Sequence, residues 1–439
     1  MNATKSLTGR ILMITIGLLI LGQAVCAVPP DFARNRAIIR PSLVKMVPGG
    51  EQKFKAAMMA TYLKPASAPE KVIWTVNDVR GGSAEFGTID ENGLYKAPRK
   101  APTPHEVHIG AEVPEAANRY LWATALVGTV EQSYEFVKSW SEPVPPKDGP
   151  VPDDVKEANL KSPHGIGLDA DGNILIADQG NSRVLRYTTD GKYLGDIGLG
   201  KGGDPGKFTK PRVVAIDAQG LIWVTDSKGD RPRIQVFTKE GKFIRIFGEK
   251  GILPGQIHRA HGIGFDSQQR LFTVDVDNFR VNCYTRDGKF LYSWGEPGLK
   301  LGQFNAPHGL LVDPSGDIFI SCYYGPAQKF DAEGNFLLVF GHGDPPDGPV
   351  YFHTAVGDKW GNVYLMVRNK EGGQGEIQKS DAARQLSIMK FNNNGDYITG
   401  WSLAERDHKE SWAVVADDGT VYSLFKGETE AGVQVFVPK

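Results

Sequence analysis

The chain has 439 residues, with 50 Lys and Arg against 51 Asp and Glu and a formal net charge of −1. This balance gives no electrostatic reason to expect a nucleic-acid partner, and three cysteines are too few for a disulfide scaffold. The 52 glycines and short apolar stretches favour β-structure, and the length predicts at least two domains.

Residues 1–27 are predicted to be a cleavable signal peptide. Lys5 and Arg10 precede the apolar run Ile11–Leu21, and Val25-Cys26-Ala27 resembles a cleavage site. The run is shorter than the roughly 20 residues of a membrane span, although an uncleaved anchor is the alternative. We therefore expect a secreted or periplasmic protein with no membrane contact after cleavage. Cys283 and Cys322 then remain, and whether they form a disulfide is left open.

Residues 38–130 are predicted to form a separate β-sandwich. The segment contains Val72–Val76, which includes Trp74, and later the phrase Gly93-Leu94-Tyr95 between alternating strands. This pattern resembles bacterial immunoglobulin-like domains, in which the tryptophan lies in the core and the Gly-Leu-Tyr phrase turns between strands. The resemblance implies a spacer or docking module, and no chemistry is predicted here.

A repeat of 45 to 49 residues, with one longer final gap of 59, occupies the rest of the chain. Each copy has an aspartate five residues after its start, and contains four short strands separated by Asp-Gly, Glu-Gly or Asn-Gly turns. Such four-stranded sheets must pack against one another around an axis, which predicts a β-propeller. The six starts are His164, Arg212, His261, His308, His353 and Trp412.

Phrases such as Pro163-His164-Gly165 and Asn181-Ser182-Arg183 resemble NHL repeats. The resemblance implies an all-β fold, a six-bladed NHL β-propeller over residues 131–439, preceded by the immunoglobulin-like β-sandwich. The sixth copy ends at its third strand, whereas residues 131–141 resemble fourth strands of other copies. We therefore predict that 131–141 complete the last blade and close the ring, with 142–160 as a linker.

Four of the nine histidines occupy one register at the starts of the innermost strands. Imidazoles that converge on an axis can bind a transition metal, and three of them with an open position suit catalytic zinc. Histidines from alternate repeats, His164, His261 and His353, are the predicted ligands, with His308 and Trp412 lining the channel between them. The alternative is a repeated phrase in which each histidine binds a backbone carbonyl or water.

This arrangement resembles NHL-propeller lyases that cleave peptidyl-α-hydroxyglycine into an amidated peptide and glyoxylate. The resemblance implies a zinc ion held by three channel histidines, Tyr324 as a base and Arg212 as the group that holds a carboxylate or carbonyl. Calcium is not supported, because Gly165 stands where the family has an acidic ligand. Under the lyase hypothesis the partner is a small-molecule or peptide substrate at the channel mouth. The competing hypothesis is a non-catalytic propeller that recognises a protein, peptide or glycan there.

The recurrent aspartates are predicted to be structural. Those five residues after each start are expected to cap the turn into the next strand: Asp169, Asp217, Asp266, Asp313, Asp358 and Asp417. Asp178, Asp226 and Asp275, each at the end of a second strand, are expected to stabilise turns. A lactonase-like calcium site with oxygen ligands is not favoured, because the repeat starts carry imidazole and guanidinium groups.

Overall fold

The computed structural model describes residues 36–61, 64–128, 134–143, 159–228, 231–340, 352–367, 387–403, 412–427 and 429–439. The predicted signal peptide lies outside the described residues, as does most of the predicted linker 142–160. The described residues are all-β. No helix among them is long and apolar enough to cross a membrane.

The segment before residue 128 contains twelve short strands in three sheets, in the orders β1-β4-β5, β3-β10-β9-β8 and β2-β12-β11-β6-β7. The strands are β1 (Ala37–Arg40), β2 (Leu43–Met46), β3 (Glu51–Lys53), β4 (Lys55–Thr61), β5 (Lys64–Ser67), β6 (Ile73–Val76), β7 (Val79–Arg80), β8 (Gly82–Ser83), β9 (Gly87–Ile89), β10 (Leu94–Lys96), β11 (Glu106–Glu112) and β12 (Tyr120–Val127). Trp74 and Tyr95 are buried in its core. Its assignment to the immunoglobulin-like class stays a prediction.

The remaining described residues form six four-stranded antiparallel sheets. Their strands are β13 (Tyr134–Pro143), β14 (Pro163–Leu168), β15 (Ile174–Asp178), β16 (Arg183–Tyr187), β17 (Tyr193–Ile197), β18 (Pro211–Ile216), β19 (Ile222–Lys228), β20 (Arg231–Phe237), β21 (Phe243–Phe247), β22 (Ala260–Phe265), β23 (Leu271–Asp275), β24 (Arg280–Tyr284), β25 (Phe290–Trp294), β26 (Pro307–Val312), β27 (Ile318–Cys322), β28 (Gly325–Phe330), β29 (Phe336–Phe340), β30 (Phe352–Gly357), β31 (Val363–Val367), β32 (Ile388–Phe391), β33 (Tyr397–Trp401), β34 (Trp412–Val415), β35 (Val421–Lys426) and β36 (Glu430–Pro438). The predicted all-β propeller is therefore confirmed.

The innermost strand of each sheet packs on the innermost strand of the next, and β34 packs on β14 to complete the circle. In β14 and β22 apolar side chains alternate with glycines, which suits face-to-face packing of neighbouring sheets. Ile166, Trp223 and Ile263 belong to the largest of the resulting buried clusters. This packing fixes the positions at which the inner strands begin.

The last sheet is completed by a strand that precedes the first. β13 pairs antiparallel with β36, from Tyr134 opposite Pro438 to Pro143 opposite Glu430. The sheet order is β13-β36-β35-β34, which matches the pairing predicted from the sequence. Because the two ends of the repeat region share one sheet, the ring has no unpaired edge at this junction.

The aspartates five residues after the repeat starts cap turns, as predicted. In each of the first five copies one carboxylate oxygen accepts the backbone N–H groups two and four residues later. For example, Asp169 accepts from Asp171 and Asn173 at 3.0 and 2.8 Å. These side chains satisfy the donors of a tight turn and are thus occupied by structural bonds.

A buried ionic network joins the N-terminal segment to the fifth sheet of the propeller. Lys390 on β32 donates to Glu106 on β11 at 2.6 Å, and both side chains are 3% exposed. A second carboxylate, Asp358, lies 3.9 Å from the same ammonium group and accepts a bond from the Tyr364 hydroxyl. Burial is the largest single influence and lowers the pKa of Lys390, but Glu106, Tyr134 and Asp358 together outweigh it, so that the pKa is raised. The lysine is therefore a fully charged cation between two carboxylates.

Candidate metal centre

The five charged or imidazole residues at the repeat starts occupy one structural position, the second residue of an innermost strand. The aspartate at the end of the next strand sets this position. Asp178, Asp226 and Asp275 accept the backbone N–H of Lys161, Lys210 and Arg259 at 2.7, 2.6 and 2.8 Å, two or three residues before the inner-strand side chain. The predicted turn-stabilising role of these aspartates is confirmed, and they hold each strand start against its own sheet.

Glycines follow three of the histidines, His164, His261 and His308, and they allow neighbouring inner strands to approach closely. A Cβ atom on Gly165 would lie 2.3 Å from the carbonyl oxygen of Arg212, and one on Gly262 would lie 2.5 Å from the backbone nitrogen of Leu310. Backbone atoms cannot yield as a flexible side chain does. A glycine after the histidine therefore lets neighbouring inner strands, and the histidine rings that they carry, lie close together.

We expect Gly262→Ala to lower the free energy of unfolding by about 1–3 kcal/mol, because the added methyl group overlaps the adjacent strand. Urea unfolding measures this difference. Gly325→Ala is the matched control, since its Cβ would meet Cys322 only at 3.6 Å. Equal stability of the two variants would show that the inner strands can separate without cost.

Four histidine rings meet at the centre of the propeller. The ligand nitrogens of His164, His261 and His308 all lie within 4.8 Å of one another. A point at the centre of such a triangle lies within about 2.8 Å of each nitrogen, which is slightly longer than the ~2.1 Å of a zinc–nitrogen bond. The ring of His353 lies 4.4 Å from that of His308 and 6.1 Å from that of His164, measured between centroids. The four rings thus form one cluster, and His308 is one of the three residues whose ligand nitrogens lie nearest one another.

Three imidazoles of this cluster, those of His164, His261 and His308, are neutral. Burial is the largest cause and lowers the pKa of His164, His261 and His308 well below its ordinary value, and neighbouring imidazoles and Arg212 lower it further. Neutral imidazole is the form that binds a metal. The Nδ1 atoms of His164 and His261 are buried and have no hydrogen-bond partner in the protein. Since an unsatisfied buried polar atom costs about 1–3 kcal/mol, these atoms fit a site that holds an ion or ordered solvent.

The hydrogen bonds of His308 leave its Nε2 atom as the acceptor. Its Nδ1 lies 3.1 Å from the backbone carbonyl of His353, to which it must donate. The Tyr323 hydroxyl lies 2.7 Å from Nε2 and donates to it. A carbonyl that orients one ring nitrogen while the other keeps a lone pair is the usual arrangement around a metal-bound histidine. The sequence predicts only that His308 lines the channel. Its hydrogen bonds orient Nε2 so that this atom could bind a metal ion.

Arg212 touches the same cluster. Its Nη1 lies 2.8 Å from Nε2 of His261, and since arginine stays protonated, His261 must accept this bond. A metal ion on His261 would compete with the guanidinium group for this ring. Displaced from the ring, Arg212 would be a cation beside the centre, where it can bind an anionic oxygen.

The two adjacent tyrosines, Tyr323 and Tyr324, have different environments. Tyr323 is stacked on His308 with 4.2 Å between centroids, whereas Tyr324 is 42% exposed and lies against Tyr323 at 6.4 Å. The tyrosine in contact with the histidines is thus Tyr323, next to the residue predicted from sequence. Trp412 is buried, with its ring 5.0 Å from that of His164.

The two cysteines of the propeller are free and buried. They lie in adjacent sheets, on β24 and β27, within one apolar cluster. Burial raises the pKa of Cys283 to about 11 and that of Cys322 to about 12. Both are thus protonated thiols that pack as small apolar groups, and the disulfide that the sequence left open is not formed.

These features define an all-β propeller with a histidine cluster at its axis. Residues 160–187 match the family described as NHL repeat. The chain is 30% identical to mouse peptidyl-glycine alpha-amidating monooxygenase over 128 residues, which are 27% of this chain and 13% of that protein. It is 25% identical to the protein brain tumor of Drosophila melanogaster over 121 residues, 28% of this chain and 11% of that protein. The chain thus spans only about an eighth of the length of these relatives.

Among solved structures, a protein of unknown function from Bacteroides thetaiotaomicron aligns over 91% of this chain and 97% of its own, with a TM-score of 0.51 and 14% identity. Virginiamycin B lyase from Staphylococcus aureus aligns over 83% of this chain and 99% of its own, with a TM-score of 0.43 and 14% identity. The first of these likenesses supports the fold alone.

Proposed function

We propose that this chain is an exported, metal-dependent lyase that cleaves a small hydroxylated amide or peptide end at the axis of the propeller. The observation that carries the proposal is the group of three neutral histidine nitrogens within 4.8 Å of one another. Zinc is the proposed metal, held by His164, His261 and His308. A site with three imidazoles keeps a fourth position open for a substrate oxygen.

Zinc bound there would act as a Lewis acid and lower the pKa of a coordinated hydroxyl group. Arg212 would hold a carboxylate or carbonyl of the substrate beside it, through the guanidinium group that now contacts His261. Tyr323 takes the part predicted for Tyr324, because its hydroxyl is the one in contact with a ligand nitrogen. With a metal ion on His308, that hydroxyl would need another partner, and Tyr323 could then exchange a proton with the substrate.

The local similarity to the mouse amidating enzyme supports the proposal of chemistry at a peptide end, and the match covers 13% of that protein. The local match of 128 residues falls short of half of this chain. The hydroxylated substrate, the lyase reaction and export from the cell are all parts of the proposal, to be tested on this protein directly.

Metal analysis of the purified protein tests the proposal first. About one zinc per chain is expected, and His261→Ala is expected to lose it because one of three ligands is removed. His258→Ala is the control, since its side chain is 44% exposed and pairs with Asp277. A wild-type protein that neither contains nor binds a divalent metal would refute the metal centre and favour the non-catalytic binding propeller.

The second test compares two adjacent tyrosines. Tyr323→Phe is expected to slow cleavage of a peptide ending in α-hydroxyglycine at least about 100-fold, because the hydroxyl in contact with His308 is lost. Tyr324→Phe should change the rate little, since that side chain is largely outside the cluster. Glyoxylate release is the measurement. The reverse ranking would restore the assignment made from sequence, and no release by the zinc-loaded wild type would remove this substrate class.

A further inference from the structure

Three described loops join the outermost strand of one sheet to the innermost strand of the next. They comprise residues 198–210, 248–259 and 295–306, and are called here the channel-face loops. Each ends where an inner strand begins, two residues before Arg212, His261 or His308. The loops therefore lie on the face of the propeller at which the histidine cluster is located.

These loops carry five of the six most exposed large aliphatic side chains among the described residues. Six large apolar side chains are more than 60% exposed, and all but Val47 are on the channel-face loops: Leu199 (67%), Ile252 (78%), Leu253 (62%), Leu299 (74%) and Leu301 (65%). A single exposed leucine needs no explanation, but the same feature on three successive loops of one face indicates an interaction surface.

The loops hold these side chains outward on a fixed backbone. Each loop ends in a fully buried anchor, Phe208, Ile257 or Phe304, that makes a parallel bridge back to the start of the loop. In the second loop Arg280 donates to the carbonyl groups of Ile252 and Leu253 at 2.9 and 2.7 Å. The aliphatic groups are thus presented to solvent by an ordered scaffold.

Each loop also places an exposed lysine within two residues of an exposed aliphatic side chain: Lys201, Lys250 and Lys300. Together the three loops contain six basic and three acidic residues, a net charge of +3 on a chain whose net charge is −1. A positive face repels a second copy of itself, whereas it attracts an anionic surface. Aliphatic side chains with adjacent lysines are typical of proteins that lie on the interface of an anionic bilayer.

We propose that the channel-face loops bind the surface of an anionic lipid bilayer. The aliphatic side chains enter the boundary between headgroups and acyl chains, and the lysines contact the lipid phosphates. A bilayer meets three loops on one face at once, and it can cover all five side chains, each of which is more than 60% exposed. The sequence led us to expect no membrane contact, because that expectation took account only of segments that span a bilayer. Binding to the bilayer surface needs no such segment. The proposal is independent of the metal and of the reaction.

Flotation with vesicles tests the surface. We expect the full-length mature protein to float with phosphatidylglycerol/phosphatidylcholine vesicles in low salt and to be released from them by high salt. A variant in which serine replaces all five aliphatic side chains should partition to the vesicles at least about tenfold less. The five substitutions are Leu199→Ser, Ile252→Ser, Leu253→Ser, Leu299→Ser and Leu301→Ser. Glutamate at Lys201, Lys250 and Lys300 should reduce it by roughly fivefold for each lysine.

Matched controls lie on the opposite face, at the turns between the third and fourth strands. Two control variants should leave flotation unchanged. One carries Lys192→Glu, Lys242→Glu and Lys289→Glu at exposed lysines, and the other carries Leu194→Ser, Ile244→Ser and Leu291→Ser. Circular dichroism and thermal unfolding verify that every variant is folded. Failure of the wild type to float overturns the proposal, as does an equal loss in the opposite-face variants. A dimer in light scattering that the serine variant abolishes would assign the surface to a second copy instead.

Discussion

Replacing His308 with alanine is expected to weaken zinc binding at least about 100-fold, whereas replacing His353 should weaken it only a few fold. The reason is the orientation of His308, whose Nδ1 atom donates to the carbonyl of His353 and whose Nε2 keeps its lone pair. That carbonyl belongs to the backbone, so the His353→Ala variant retains it. Competition with a chelator of known affinity at neutral pH measures both variants.

Thermal unfolding of both metal-free variants is the control for damage to the fold, because either substitution opens space among packed rings. A His308→Gln variant repeats the test with a side chain that fills more of that space. If His353→Ala proves as harmful to zinc affinity as His308→Ala, the ligands are those expected from alternate repeats, His164, His261 and His353.

Replacing Lys390 with methionine is expected to lower the free energy of unfolding by about 3–5 kcal/mol. The substitution leaves Glu106 and Asp358 buried without the cation that lies 2.6 and 3.9 Å from them. Adding Glu106→Gln should recover a large part of the loss, because one of the two uncompensated charges is then removed. Urea unfolding, followed by tryptophan fluorescence, gives the difference between the variants.

The exposed pair Lys96 and Glu51 supplies the comparison. Its atoms are 2.8 Å apart, but the side chains are 59% and 51% exposed, so Lys96→Met should leave the free energy of unfolding almost unchanged. Equal effects at Lys390 and Lys96 would mean that water reaches the buried network and that it does not fasten the N-terminal segment to the propeller.

The features that the sequence predicts well are local or repeated. Asp169 and its equivalents cap turns because a short carboxylate reaches the N–H groups two and four residues later, whatever surrounds it. The four-stranded copies follow from alternation and turn residues, and the surplus strand at 134–143 matches the one missing from the last copy. Each of these inferences needs only residues close in sequence or a comparison between copies.

The features that the sequence does not predict depend on contacts between distant residues. Choosing histidines from alternate repeats assumes a regular ring, but the orientation of each imidazole is set by its own partners, such as the His353 carbonyl for His308. Tyr323 and Tyr324 are adjacent, and the short turn between β27 and β28 decides which of them reaches the cluster. No sequence pattern links Glu106 to Lys390, which are 284 positions apart.

The last sheet contains both β13 and β36, so it also determines when the propeller can close during synthesis of the chain. Strand β13 leaves the ribosome almost three hundred residues before β36, its partner. At about 5–20 residues per second, the early strand waits roughly fifteen seconds to a minute for the final nine-residue strand. A chain released before residue 430 therefore carries an open propeller with two exposed edges, so that a premature stop near the end would yield an aggregating product rather than a slightly shortened one.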